Sequence, residues 1–111
     1  MKILIVDDSE DIRLLIQTTL CAGGYEDSIM AASAMEAYAI LGMGGEEPSP
    51  DAGGVDLILM DIIMPGIDGI EACKQIKADP KLKDVPVVFL SAKGQEAEIL
   101  PKRWGLTWGL I

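Results

Sequence analysis

Short apolar runs alternate along the chain with longer segments in which apolar residues recur every three or four positions. The first run, Ile3 to Val6, is continuously aliphatic, as a strand buried on both faces requires, and it stops at Asp7 and Asp8. Segments of the second kind place their apolar residues on one face of a helix. Strands that alternate with helices are typical of βαβ units, so the pattern predicts an α/β fold with a mostly parallel sheet.

The same pattern gives approximate bounds for each element. Four strands are predicted, at Ile3 to Val6, Ser28 to Ala31, Val55 to Met60 and Val85 to Leu90. Four helices are predicted, at Asp11 to Leu20, Glu36 to Leu41, Ile70 to Lys77 and Gln95 to Leu100. The glycine-rich segment Gly42 to Gly54 has no periodicity, so we expect a long surface loop there rather than an element.

Two of the predicted helices have recognisable start signals. Ser33 and Glu36 have the spacing of a capping box, in which a hydroxyl and a carboxylate satisfy backbone N–H groups at a helix start. Asp68 with Glu71 indicates a second start of this kind. Gly23 and Gly24 predict the end of the first helix.

Length and charge narrow the class of protein. A chain of 111 residues, half of them hydrophobic, fits one compact domain. Its 18 acidic and 9 basic residues give a net charge of −9, which repels a phosphate backbone and argues against direct nucleic-acid binding. No apolar run is long enough for a membrane span, and the N-terminus lacks the features of a signal peptide, so we expect a cytoplasmic protein.

The chain contains no histidine and only two cysteines, Cys21 and Cys73. Neither a zinc site nor a catalytic pair of cysteine and histidine can be assembled from them, and a Ser-His-Asp triad is excluded. We expect both cysteines to be reduced thiols in the core. Carboxylates, hydroxyls and lysines are left as the available chemistry.

Polar residues follow three of the predicted strands directly. Asp7 and Asp8 come after the first strand, Asp61 after the third and Ser91 after the fourth. Because the carboxyl ends of parallel strands lie at one edge of a sheet, these side chains are expected to converge. Clustered carboxylates must bind a proton or a cation, and a site with oxygen ligands only favours Mg²⁺.

Asp61 is the candidate nucleophile, because an aspartate can form an acyl phosphate in phosphoryl transfer. The Ser91 hydroxyl would donate a hydrogen bond to the transferring group. Taken alone, an aspartate after a strand is more often a turn former or a helix cap. The coincidence of three such strand ends favours a functional cluster.

Three motifs make the family recognisable: ILIVDDS at Ile3 to Ser9, LILMDIIMPGIDG at Leu57 to Gly69 and VPVVFLSAK at Val85 to Lys93. Together they resemble the receiver domain of two-component response regulators. The resemblance covers roughly residues 1–100, with residues 101–111 as an atypical tail, and Ser91 lies 30 positions after Asp61. It implies a doubly wound, flavodoxin-like sheet with strand order 2-1-3-4(-5).

The resemblance also implies a role for each site residue. Asp61 would accept a phosphoryl group from a sensor histidine kinase or phosphotransfer protein, and Ser91 would be the switch hydroxyl. Asp8 would bind Mg²⁺ directly, Asp7 through water or a hydrogen bond, and Ile63 through its backbone carbonyl. Such a domain signals to a downstream target protein and catalyses only its own phosphorylation and dephosphorylation.

The C-terminal segment departs from the family. The lysine that ends the fifth strand in such receivers would lie beyond Ile111, and neither Lys93 nor Lys102 matches its position. This change suggests a truncated or frame-shifted gene product that lacks the usual fifth strand and fifth helix.

Two structural consequences are expected. The segment Trp104 to Ile111, which alternates large apolar and small residues, would replace the fifth strand as a short edge strand, or the protein would dimerise through this region. Part of the apolar face of the first helix, including Leu14 or Leu15, would stay uncovered.

Two other functions remain open at this stage. A degenerate receiver would keep the fold and bind proteins without productive phosphorylation. A phosphohydrolase with an aspartyl-phosphate intermediate normally has a second aspartate two residues after its nucleophile, where this chain has Ile63.

Overall fold

The structure is a computed structural model of the chain. It describes residues 1–45, 47, 54–90 and 107–109. A five-stranded sheet forms the centre, with order β2-β1-β3-β4-β5 and every neighbouring pair parallel. The strands are β1 (Ile3–Val6), β2 (Ser28–Ala31), β3 (Leu57–Asp61), β4 (Val87–Leu90) and β5 (Thr107–Gly109). The α/β fold class and the 2-1-3-4 order that the resemblance implied are confirmed.

All four predicted strands are present, and their bounds differ from the prediction by at most two residues. The predicted bounds of β1 and β2 match the structure. β3 begins at Leu57 rather than Val55 and includes Asp61, whose backbone pairs in register with Leu90 of β4. β4 begins after Pro86, which has no N–H to donate to the ladder.

Residues 107–109 occupy the edge of the sheet beside β4. The prediction that the C-terminal segment supplies a short edge strand in place of the usual fifth strand is therefore confirmed for these residues. The alternative, a dimer through this region, stays a prediction. The predicted helix Gln95 to Leu100 lies outside the described residues, as do Lys93 and Lys102.

Within the described residues, three α-helices flank the sheet, and each begins at a residue whose side chain caps it. They are α1 (Glu10–Ala22), α2 (Ala34–Leu41) and α3 (Gly69–Ala78). The side chains of Ser9, Ser33 and Asp68 accept hydrogen bonds from the N–H groups of Ile12, Glu36 and Glu71, respectively. The helix starts at Ser33 and Asp68 are as predicted, and α1 ends at Gly23, also as predicted.

Two expectations were wrong. The segment after α2 contains a short 3₁₀ turn, Met43–Gly45, where no element was predicted, and Gly44 within it has a φ of 77°, a left-handed conformation that glycine adopts without strain. Cys21 is exposed on α1, whereas Cys73 on α3 is buried as expected. Within the described ranges, no helix is both long and apolar enough to cross a bilayer.

The two faces of the sheet are packed differently. Alternate strand residues such as Leu4 and Val6 face α2 and α3, within a large buried cluster that includes Phe89. We call this side the α2/α3 face. The opposite side, the α1 face, contains a smaller cluster with Ile5 and Ile16. On α1, the side chains of Leu14 and Leu15 are 45% and 53% exposed, so the prediction that this part of the apolar face of α1 stays uncovered is confirmed.

Candidate functional site

β1 and β3 lie side by side in the sheet, with Val6 paired to Met60. Asp7 follows β1 and Asp61 ends β3, so the parallel register brings both to the carboxyl edge. One carboxylate oxygen from each of Asp7, Asp8 and Asp61 lies within 4.8 Å of the others. We call these three side chains the acidic pocket. The predicted convergence of the three carboxylates is confirmed.

Asp7 is the most constrained member of the acidic pocket. It is only 5% exposed, and no other charged residue in the described part of the chain is buried. Its N–H donates to the Ala31 carbonyl over 3.1 Å, and its Oδ1 accepts from the Ser9 N–H over 2.8 Å. Asp8, by contrast, is exposed. The pocket therefore has a buried rear wall and an open side.

Asp61 is held in place by the start of α3. The Gly69 N–H donates to the Ile62 carbonyl over 2.8 Å, and a Cβ at Gly69 would lie only 2.1 Å from the Asp61 carbonyl oxygen. Only glycine fits this close approach of α3 to the end of β3. The Asp61 Oδ1 accepts a hydrogen bond from the Ile63 N–H over 3.3 Å.

Burial and neighbouring negative charge raise the proton affinity of two of these carboxylates. Burial, and then the negative charge of Asp7, raise the pKa of Asp61 to about 6, although the Ile63 N–H opposes the shift. Burial also raises the pKa of Asp7, against the stabilising hydrogen bond from Ser9. A divalent cation would relieve this repulsion, and a set of carboxylate oxygens is what Mg²⁺ prefers. The pocket therefore fits the predicted ion chemically.

The remaining predicted site residues are less fully placed. Ile63 lies two residues after Asp61 with its side chain 56% exposed, and the role of its carbonyl stays a prediction. Ser91, the predicted switch hydroxyl, lies outside the described residues.

Sequence reasoning missed two residues that shape the pocket. Arg13 donates from Nη1 to the Asp7 carbonyl over 2.7 Å, and Gly69 allows α3 to touch the end of β3. A glycine in the first turn of a helix disfavours that helix, which is a signal that a close contact requires it. Nothing in the local pattern distinguishes Arg13 from a solvated arginine on α1.

Comparison with known proteins gives a consistent result. Residues 3–102 match the family model described as the response regulator receiver domain. Chemotaxis protein CheY1 of Helicobacter pylori strain J99 is 31% identical over 100 residues, which is 90% of this chain and 74% of CheY1.

Solved structures show the same fold. The N-terminal domain of a response regulator receiver protein from Methanoculleus marisnigri JR1 has a TM-score of 0.76 and 34% identity, covering 98% of this chain and 82% of that one. The Mn²⁺-bound form of response regulator Rcp1 has a TM-score of 0.78 and 29% identity, covering 98% of this chain and 78% of the other.

Proposed function

The chain belongs to the response regulator receiver domain family of two-component systems, and on that premise we propose that it is a Mg²⁺-dependent phosphoacceptor whose Asp61 receives a phosphoryl group from a histidine kinase. The observation that supports this most is the acidic pocket, which sets Asp61 beside two further carboxylates within 4.8 Å. Receiver domains act in signalling rather than in metabolic catalysis, and they bind divalent ions at such clusters.

The proposed ion ligands are Asp8, Asp61 and the Ile63 carbonyl, with Asp7 acting through water or a hydrogen bond. Burial of Asp7 and its hydrogen bond from Ser9 suit this indirect role. Bound Mg²⁺ would neutralise charge on the transferring phosphoryl group. The similar Rcp1 structure is a Mn²⁺-bound form, which supports a divalent ion here.

Asp61 acts as the nucleophile in this proposal. A pKa of about 6 leaves its carboxylate ionised at neutral pH while keeping it more basic than an ordinary aspartate. A carboxylate oxygen forms a bond to phosphorus as the bond from phosphorus to the donor breaks. The donor leaves with the electron pair of that bond, and Asp61 becomes an acyl phosphate.

The remaining roles in the proposal concern switching and partners. Ser91 would donate its hydroxyl to the phosphoryl group. Receiver domains interact with histidine kinases or phosphotransfer proteins and with downstream targets, and we propose that this chain does the same. The receiver would span residues 1–100.

Intact mass after incubation with acetyl phosphate and Mg²⁺ tests the proposal. The wild-type chain should gain the mass of one phosphoryl group, and the gain should disappear with EDTA and in Asp61→Asn. Asp56→Asn is the matched control, because Asp56 is exposed before β3 and away from the pocket; it should gain the same mass as wild type. A folded wild-type chain that gains none would contradict the proposal and favour a protein-binding module without phosphorylation.

A further inference from the structure

Arg13 reaches back from α1 to the end of β1. It lies in the first turn of α1, where its backbone N–H donates to the Ser9 carbonyl over 3.0 Å. Its Nη1 donates to the Asp7 carbonyl over 2.7 Å, at a half-buried position. A charged donor at this distance makes a stronger hydrogen bond than a neutral one.

This contact completes the constraints on Asp7. The Asp7 N–H is bound by the Ala31 carbonyl, and the Asp7 carboxylate by the Ser9 N–H. Both of those partners are backbone groups, whereas Arg13 donates to Asp7 from its side chain. Asp7 and Asp8 lie in the turn that Arg13 fixes, between β1 and α1.

We propose that Arg13 is a positioning residue for the phosphoacceptor reaction: its guanidinium holds the turn between β1 and α1 so that Asp7 and Asp8 face Asp61. This inference rests on the proposed function. Arg13 does not touch the reacting atoms in this account. It acts through the backbone of Asp7.

The geometry and the charge of Arg13 have opposite effects on cation binding. The positive charge lies beside Asp7, where it repels an incoming cation. Loss of the charge alone would therefore tighten Mg²⁺ binding. Loss of the fixed turn would weaken it, because the carboxylates would have to be ordered when the ion binds. The sign of the change in Mg²⁺ affinity separates the two roles.

The test compares the full wild-type chain with Arg13→Met and Arg13→Lys. Mg²⁺ affinity is measured by titration, and the rate of phosphorylation by acetyl phosphate is measured at saturating Mg²⁺. Lys83→Met is the control, because it also removes one positive charge. Lys83 is exposed and precedes β4, so it lies near the amino ends of the strands, away from the acidic pocket. This variant should match wild type in both measurements.

We expect Arg13→Met to weaken Mg²⁺ binding by about tenfold and to slow phosphorylation by a similar factor, as loss of a charged hydrogen bond would. Arg13→Lys should recover part of the rate, because it keeps a donor but not the planar fork. If circular dichroism shows that Arg13→Met does not fold, the test uses Arg13→Lys instead, which should also bind Mg²⁺ more weakly and react more slowly than wild type.

Two results would overturn the inference while leaving the proposed function intact. In the first, wild type is phosphorylated and the Arg13 variants match it. In the second, Arg13→Met binds Mg²⁺ more tightly and reacts as fast, which would show that Arg13 acts through its charge alone. A wild-type chain that binds Mg²⁺ but is not phosphorylated would instead overturn the proposed function, and with it the reaction that Arg13 is proposed to serve.

Discussion

On the α2/α3 face of the sheet, fifteen buried residues of the described chain form one hydrophobic cluster, whereas five form the cluster on the α1 face. Phe89 and Ile76 lie in the first cluster with no exposed surface. On the other side, α1 buries Ile16 but leaves Leu14 and Leu15 about half exposed. Hydrophobic stabilisation follows the apolar area removed from water, so among the described residues most of it comes from the α2/α3 face.

The aspartates of the acidic pocket are positioned from these two differently packed sides of the sheet. Asp61 is positioned from the well-packed side, where α3 contacts the end of β3 at Gly69. Asp7 is positioned by hydrogen bonds from Ser9 and Arg13 beside the thinly packed helix. A close backbone contact with α3 therefore helps to fix one part of the pocket, and hydrogen bonds from Ser9 and Arg13 help to fix the other.

The largest expected effect comes from two neighbouring residues of β3 that face opposite sides. Ile58 lies in the α2/α3 cluster and is 0% exposed, whereas Leu59 lies in the α1 cluster and is 7% exposed. Ile58→Ala should lower the free energy of unfolding by about 3–5 kcal/mol, and Leu59→Ala by about 2–3 kcal/mol. Urea denaturation measures both. Equal losses would mean that the two faces contribute equally.

Gly69→Ala tests how the well-packed side positions Asp61. Its Cβ would lie 2.1 Å from the Asp61 carbonyl oxygen, so the backbone must move. We expect a loss of about 1–3 kcal/mol in stability, together with reduced phosphorylation of the folded protein. Ala78→Gly, at the other end of α3, controls for the exchange of alanine and glycine and should react normally. Normal phosphorylation of Gly69→Ala would show that this contact does not position Asp61.

The acidic pocket should make stability depend on pH in the absence of divalent ions. The pKa of Asp61 is raised from 3.8 to about 6 in the folded chain, so folding favours its protonated form. The resulting stabilisation is complete below about pH 4 and is lost as pH rises through about 6. Because the side chain is only partly buried, the effect is about 1 kcal/mol.

Urea unfolding of wild type and Asp61→Asn across this pH range measures how much the titration of Asp61 contributes to the free energy of unfolding. The stability of wild type relative to Asp61→Asn should fall as pH rises. Asp7, whose pKa is raised as well, adds a change of the same sign in both proteins. A difference between the two proteins that does not vary with pH would mean that Asp61 titrates as an ordinary aspartate.

The smallest effect is expected on the exposed side of α1. Leu15→Ala should change the free energy of unfolding by less than about 0.5 kcal/mol, because leucine and alanine have similar helix propensities and the side chain is 53% exposed. Denaturation and light scattering check this together. A loss above about 1 kcal/mol that depends on protein concentration would show that a second copy covers Leu15.

Much of the fold could be predicted from the sequence because its signals are local. The aliphatic run Ile3–Val6 and the cap at Ser33 each determine their element within a few residues. The convergence of Asp7 and Asp61 was also predictable, since it follows from parallel strand topology. In contrast, the contacts of Arg13 and Gly69 join one element to another, and periodicity contains no information on such contacts.

A divalent cation should relieve the repulsion within the acidic pocket. Thermal or urea unfolding of wild type and Asp61→Asn, with and without Mg²⁺ near neutral pH, tests it most directly. Without Mg²⁺, Asp61→Asn should be the more stable protein. At a Mg²⁺ concentration about a hundredfold above the dissociation constant for Mg²⁺, the ion should stabilise wild type by about 2.7 kcal/mol and Asp61→Asn by much less. If Asp61→Asn is no more stable than wild type without Mg²⁺ and gains as much stability from the ion, the acidic pocket is not a cation site of this kind.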